Sequence, residues 1–283
     1  MNDPHGPVLI TGTTGGIGAA TAARLAADGM TVYATARRPE ALRALQDAGC
    51  RTLRLDVTDE ESMRAAVEEI TAEHGGLGAL VNNAGYGAYG AVEEVPPEQL
   101  RAQFETNVFG LVRLTQLVLP HMREAGRGRI VNVSSMGGRL VFPLGGAYHA
   151  SKYAVEAFSD ALRHEVTPFG ISVSLVEPGL IRTGFGATAG DTLAAATSPR
   201  SPYRPLADAV EHRMTRTYGS ALAAGPDPVA RTVHRALTAR RPRHRYVVTP
   251  AARALIHTRR LLGSRAWDAY LRRQFRTPAT ADR

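Results

Sequence analysis

Tyr148 and Lys152 stand four residues apart in YHASK, and Lys152 is the one lysine among 34 lysines and arginines. In a chain that uses arginine everywhere else, that lysine marks a task a guanidinium performs poorly. A phenol has a pKa of about 10, too high for efficient proton exchange near neutrality. A close ammonium favours the phenolate and lowers that value, and its compact head reaches positions closed to a wide, planar guanidinium. Ser134 and Ser135 precede Tyr148 by fourteen and thirteen residues. A serine hydroxyl there can donate to a carbonyl oxygen while the tyrosine delivers the proton, so a developing alkoxide meets two donors. Adjacent strand residues face opposite ways, so only one of the two serines can share the tyrosine's side.

The elements that must position these groups are visible as β-branched runs alternating with helical patterns. Strands are expected at 7–11, 31–36, 51–57, 79–84, 129–135, 171–178 and 245–249, and helices at 16–28, 40–48, 59–73, 97–124, 148–168 and 227–239. On the helix at 148–168, Tyr148 and Lys152 share a face, and Val155, Phe158, Leu162 and Val166 form a neighbouring stripe to bury. His149 points about 100° away from Tyr148, so it is expected behind the site or at the surface. The alternation predicts an α/β fold: a doubly wound, mostly parallel seven-stranded sheet with helices on both faces, binding its ligand beyond the carboxyl ends of the strands.

The expected organisation is a single catalytic domain over 1–250 with a helical extension over 251–283. A Gly/Ala/Thr/Ser/Pro-rich interruption at 184–205, followed by a helix-like stretch to about 223, reads as a mobile insertion over the site, a loop/helix cover spanning 184–225. Residues 251–275 read as one or two short amphipathic helices.

Composition narrows the classes. The 283 residues are 44% hydrophobic and 21% charged, ordinary for a globule. No signal peptide fits before the first strand, and no apolar run approaches the roughly 20 residues of a membrane span, so a cytoplasmic protein is expected. The single cysteine, Cys50, cannot form an internal disulfide, and no metal-ligand spacing is present. The net charge of +8 comes largely from late arginines without any nucleic-acid-binding motif, so a solvated arginine-rich face is expected rather than a nucleic-acid partner. No Gly-x-Ser-x-Gly elbow supports a serine hydrolase.

Thr11 to Gly18 reads TGTTGGIG, directly after the first strand and opening a helix. Glycines there let the backbone turn tightly and approach a pyrophosphate, favoured by the helix N-terminus. With Asp56-Val57, Asn82-Asn83-Ala84-Gly85, Ser135, Tyr148-x-x-x-Lys152 and Pro178-Gly179 followed by Thr183, six motifs stand in register over about residues 6–250. On these the chain resembles the short-chain dehydrogenase/reductase family. The resemblance implies a Rossmann sheet, a nicotinamide cofactor and Ser135 as the serine that faces the site. It also implies that Lys152 holds the nicotinamide ribose, that Asn107 in FETNVFG helps hold a water near the lysine, and that Thr183 and the Ile181 backbone fix the nicotinamide amide. The positions implied around the dinucleotide are Gly12, Thr14, Gly16, Ile17, Gly18, Asp56, Val57, Asn83, Ala84, Gly85, Tyr148, Lys152, Pro178, Gly179, Ile181 and Thr183.

The second strand ends Ala36-Arg37-Arg38 with no carboxylate before Glu40. An acid there would bind a ribose hydroxyl, whereas a guanidinium fork welcomes a 2′-phosphate, so Arg37 and Arg38 predict NADP(H). NADPH argues for carbonyl reduction. The pocket is expected from Met136, Gly137, Leu140, Phe142 and Leu144 after Ser135, from Tyr86 and Tyr89, and from Phe185, Tyr203, Met214, Tyr218 and Leu222 in the cover. These suit a bulky apolar ketone or alcohol. Length, the ATARRPE stretch and the basic tail resemble the branch with 17β-hydroxysteroid and retinol dehydrogenases. Rival readings are imine reduction or internal-redox epimerisation or dehydration at the same site, and a non-catalytic dinucleotide-sensing protein. The family usually pairs through the helices at 97–124 and 148–168, which implies a homodimer or homotetramer.

Overall fold

Each apolar run becomes a strand because its alternate side chains are covered by helices on both faces of one sheet. The computed structural model describes residues 6–275. The strands are β1 (Val8–Ile10), β2 (Val32–Ala36), β3 (Arg51–Arg54), β4 (Ala79–Asn82), β5 (Gly128–Val133), β6 (Ile171–Glu177) and β7 (Arg245–Val247). The helices are α1 (Gly16–Ala27), α2 (Arg43–Asp47), α3 (Glu60–His74), α4 (Pro97–Phe104), α5 (Gly110–Glu124), α6 (Gly146–Val166), α7 (Phe185–Ala196), α8 (Arg204–Tyr218), α9 (Asp227–Thr238) and α10 (Pro250–Gln274).

All strand pairs are parallel, in the order β3-β2-β1-β4-β5-β6-β7. The chain moves outward from β1 to β3, then crosses back to place β4 on the other side of β1. That reversal leaves a crevice at the carboxyl ends of β1 and β4. Alternation within β1 shows how the two faces are held: Val8 and Ile10 pack with α1, α2 and α9, whereas Leu9 packs with α3 and α5. Leu9, Ile10 and Leu80 are fully buried, each such side chain contributing on the order of 2 kcal/mol.

The expected doubly wound sheet is present, with differences that matter at the site. β3 and β5 stop at Arg54 and Val133 rather than at 57 and 135, because the following residues leave the ladder to line the crevice. The helix expected at 97–124 is interrupted by a π turn over Glu105–Phe109, which turns Asn107 and Val108 into the interior. The interruption expected at 184–205 is largely the helix α7, whose alanine-rich run buries Ala189 and Leu193. α10 is two helical segments joined by a kink at Gly263, where φ is 65° and ψ is 179°. Val155 and Val166 are buried, but Phe158, at the edge of the stripe, is 46% exposed. Residues 1–5 of the expected domain and 276–283 of the expected extension lie outside the described residues. Among the described residues no helix is long and apolar enough to cross a membrane.

Candidate active site

The crevice is a cleft of about 1240 Å³ running from the β1–α1 turn to the helices α7, α8 and α10. Its first half is built from backbone. Gly12 has φ 70°, and a Cβ there would lie 2.8 Å from the Ala84 Cα, so only glycine lets the two loops meet. Asn83 Nδ2 donates to the Thr11 and Gly12 carbonyls at 2.9 and 3.0 Å, while Asn83 and Ala84 amides donate to Thr11 Oγ1, both at 3.0 Å. Thr13 donates to the Thr35 carbonyl from its amide and its hydroxyl. The turn is thereby stapled to β2 and to the loop after β4. α1 then begins with no side-chain cap, whereas α3 is capped by the Asp59 carboxylate. The first amides of α1, free of a side-chain cap, could meet an anion.

Of the positions the resemblance implies around a dinucleotide, Gly12, Thr14, Gly16, Ile17, Asp56, Val57, Asn83, Ala84, Gly85, Pro178, Gly179, Ile181 and Thr183 line this half. Gly18 does not. It sits behind the wall, where a Cβ would come within 2.3 Å of the Gly12 carbonyl and 2.6 Å of Asn83 Nδ2, so its role is close packing of α1 on the turn. Arg37 and Arg38 line the far end, are exposed, and make no ion pair with any described carboxylate. Asp56 Oδ1 accepts from the Thr58 amide and hydroxyl at 3.0 and 2.8 Å, which fixes the loop after β3.

Where the two halves meet, Ser135 and Tyr148 face each other. The Ser135 hydroxyl accepts from the Gly137 amide at 3.0 Å and lies close enough to the Tyr148 phenol to favour its ionisation. Ser134 points the other way and is buried toward Glu156, as strand alternation requires. Tyr148 is 7% exposed, and burial pushes its phenol well above the usual value, with Ser135 opposing and Tyr218 adding. Lys152 is also buried, and burial brings its ammonium down to about 8, opposed by Glu156. Its Nζ donates to the Val133 carbonyl at 2.8 Å. In this arrangement desolvation dominates the phenol's pKa, and the ammonium is turned onto the end of β5.

Three further positions take roles that only their packing defines, with His149 behind the site, one of its two expected places. His149 is buried: its Nδ1 donates to the Gly137 carbonyl at 2.9 Å and its Nε2 accepts from the Phe142 amide at 3.1 Å. Burial lowers it to about 4, so it stays neutral and ties both ends of the loop after Ser135. Asn107 is not on the cleft wall. Its Oδ1 accepts from the Tyr86 amide, and its Nδ2 donates to the Tyr86 carbonyl and to Ser151 Oγ, locking the loop after β4 onto α6. Glu156, one turn past Lys152, drew no attention in the sequence. It is buried with Glu177, both against the Arg245 guanidinium, and burial with its carboxylate neighbour raises it to about 7. Its partners lie 21 and 89 residues away, so spacing carried no signal for it.

The second half of the cleft is aromatic and aliphatic. Tyr86, Tyr89, Met136, Gly137, Phe142, Phe185, Met214 and Tyr218 line it as expected. Leu140, Leu144, Tyr203 and Leu222 do not: Leu140 is buried away from the cleft, the Tyr203 phenol donates to Glu93, and Leu222 is 61% exposed. Leu144 packs beneath Tyr148 and holds φ 61°, the one positive φ outside glycine among the described residues. That strain is held by packing and by the Gly90 amide donating to its carbonyl at 2.8 Å. Leu255, Tyr270 and Phe275, contributed by α10 and its end, complete the wall and were not anticipated.

Residues 7–194 match the family described as short chain dehydrogenase. A 3-ketodihydrosphingosine reductase of Bacteroides thetaiotaomicron is 47% identical over 179 residues, 63% of this chain and 65%, just under two thirds, of that one. The uncharacterized oxidoreductase YbbO of Escherichia coli K12 is 38% identical over 265 residues, 93% of either chain. The NADPH-dependent 3-dehydrocapnine reductase of Ornithobacterium rhinotracheale is 36% identical over 254 residues, 86% of this chain and 87% of that one. Among solved structures, a short-chain dehydrogenase from Streptomyces avermitilis aligns with TM-score 0.79 at 34% identity, covering 91% of this chain and 93% of that one. A Burkholderia phymatum member in complex with NAD gives TM-score 0.77 at 28% identity, over 90% and 92%.

Proposed function

This chain belongs to the short chain dehydrogenase family, and on that premise we propose that it is an NADPH-dependent carbonyl reductase. It would move a hydride between nicotinamide and a bulky apolar ketone or secondary alcohol, with Tyr148 as proton donor. The observation that carries this reading is the meeting of the Ser135 hydroxyl and the Tyr148 phenol where the glycine-turn half of the cleft joins its aromatic half. Relatives named as reductases of 3-ketodihydrosphingosine and 3-dehydrocapnine support carbonyl reduction, and the second is named for NADPH. A solved member carries NAD, so the choice of cofactor rests on Arg37 and Arg38.

NADP(H) fits the groups present. The uncapped start of α1 suits a pyrophosphate and the unpaired guanidinium groups of Arg37 and Arg38 suit a 2′-phosphate. Lys152 would hold the ribose, and Thr183 with the Ile181 backbone the carboxamide. When bound, the nicotinamide supplies or accepts the hydride. The chain's own part is proton control. Burial keeps the Tyr148 phenol protonated through neutral pH, which suits donation to a carbonyl oxygen. The Ser135 hydroxyl, accepting from Gly137, directs its own proton at that oxygen and stabilises the charge that develops there. Asn107 holds the Tyr86 loop against α6 and so keeps Lys152 beside Gly85. The setting proposed is cytoplasmic, as a homodimer or homotetramer. Exposed Leu100, Phe109, Tyr153 and Phe158 on α4 to α6 and the intervening π turn support pairing there.

The test is a panel of bulky ketones followed by NADPH absorbance, with the configuration of the alcohol determined. Tyr148→Phe should lower kcat by about 10²- to 10⁴-fold while NADPH still binds. Wild-type turnover in that variant would reject the assignment.

A further inference from the structure

The cleft-facing side of α8 carries Val210, Arg213, Met214, Thr217 and Tyr218, the i, i+3, i+4, i+7, i+8 pattern of one helix face. Arg213 is the only charged residue on it. The Arg213 guanidinium stands 5.3 Å from the centroid of the Phe275 ring, which packs on Phe142, and Leu255 and Tyr270 line the same cleft. No described carboxylate pairs with Arg213, whereas Arg204, earlier on the same helix and away from the cleft, is paired with Asp208 at 2.8 Å. A half-buried guanidinium against apolar walls interacts with an anion more strongly than one in open water does.

Resting on the reductase reading above, we infer that Arg213 binds an anionic group at the far end of the substrate. The substrate class is then an elongated carbonyl compound whose apolar body ends in a carboxylate, phosphate or sulfonate. Spacing sets its length. Tyr218 lies close enough to Tyr148 to raise the phenol's pKa, and Arg213 lies five residues earlier on α8, a rise of about 7.5 Å. That spacing favours a substrate whose anion sits several carbon atoms from the reacting carbonyl over a short 2-oxo acid. The cofactor's anions fall at the other end of the cleft, at α1 and at Arg37 and Arg38, so the two anion sites do not compete.

The test uses a long-chain keto acid and its methyl ester with the carbonyl at the same carbon. Wild-type protein should show a KM about tenfold lower for the acid. Arg213→Gln should raise the acid's KM to that of the ester, shift the ester's KM no more than about twofold, leave the ratio of the two kcat values intact, and be partly rescued in Arg213→Lys. Equal KM values for acid and ester in wild type, or equal losses for both in Arg213→Gln, would overturn the inference. Calorimetric binding of acid and ester to the NADPH-saturated protein reads the same contrast without turnover. Binding that discriminates while neither compound is reduced supports the anion site and rejects the reductase; equal binding overturns the anion site whether or not turnover occurs.

Discussion

The wall of the cleft formed by the ends of β1, β2 and β4 is held by backbone and by short polar side chains that bond backbone. Thr11, Thr13, Thr35 and Asn83 staple the glycine turn to its neighbours, and glycines occupy the points of closest approach. The opposite wall, from α7, α8 and α10, is formed by side chains packed on one another: Phe185, Val210 and Met214 gather around Tyr89 and Tyr148. A ligand common to a whole family can be met by backbone, which does not vary with side-chain identity. A substrate peculiar to one member has to be met by side chains. On the proposed function, the difference puts shared chemistry on the first wall and specificity on the second, with Ser135, Tyr148 and Lys152 on the line between them.

Substitutions on the two walls should therefore differ in kind as well as size. The largest effect is expected from Gly18→Ala, whose new methyl would meet the Gly12 carbonyl at 2.3 Å. NADPH affinity, followed by fluorescence, should fall by about 100-fold or more, whatever the ketone offered. Affinity close to wild type would mean that the turn yields and that the backbone wall is softer than its bonding implies. On the dividing line, Lys152→Arg should reduce kcat by roughly 100-fold with the fold intact by circular dichroism.

The pH dependence of the wild type sharpens the same point. Burial lowers the folded-state pKa of Lys152 to about 8. The ammonium is present below that pH and lost above it, so reductive kcat should decline as pH rises through about 8. A rate flat to pH 10 would remove the ammonium from the reaction.

Next in size is Arg37→Asp. It should raise the KM for NADPH by about tenfold and lower that for NADH, because a carboxylate repels a 2′-phosphate and accepts from a ribose hydroxyl. An unchanged preference would place the selectivity elsewhere. The smallest effect is expected from Met214→Ala on the side-chain wall, which should change KM by about threefold in a direction that depends on the ketone, with kcat for NADPH oxidation little altered. A uniform loss across all ketones would break the distinction between the walls.

What could be read from the chain follows the same division. The seven strands, the glycine turn, the Tyr148–Lys152 spacing and most lining positions of the first wall are local features. Turn geometry, a helical repeat of four and alternation along a strand each leave a mark within a few residues. Even so, two local readings failed. The alanine-rich stretch read as a loop forms α7, and the helix at 97–124 is broken by a π turn. In the first, helix propensity outweighed the glycines; in the second, an added residue turned Asn107 inward, which periodicity does not encode.

The amino-acid sequence by itself determined the parallel sheet, the glycine-rich start of α1 and the spacing of Tyr148 and Lys152, because each depends on neighbours along the chain. Tertiary structure alone decided that His149 is a neutral tie for the Ser135 loop, that Asn107 is a strut behind the wall, that Glu156 lies against Glu177 and Arg245, and that Arg213 faces the cleft beside Phe275. Most of those partners are tens of residues away in the chain, and even the ring of His149 takes its place only once the Ser135 loop is packed. Burial then shifts the pKa values of Tyr148, Lys152 and His149 by removing water from them, and the extent of that removal is fixed only when the helices close over the sheet.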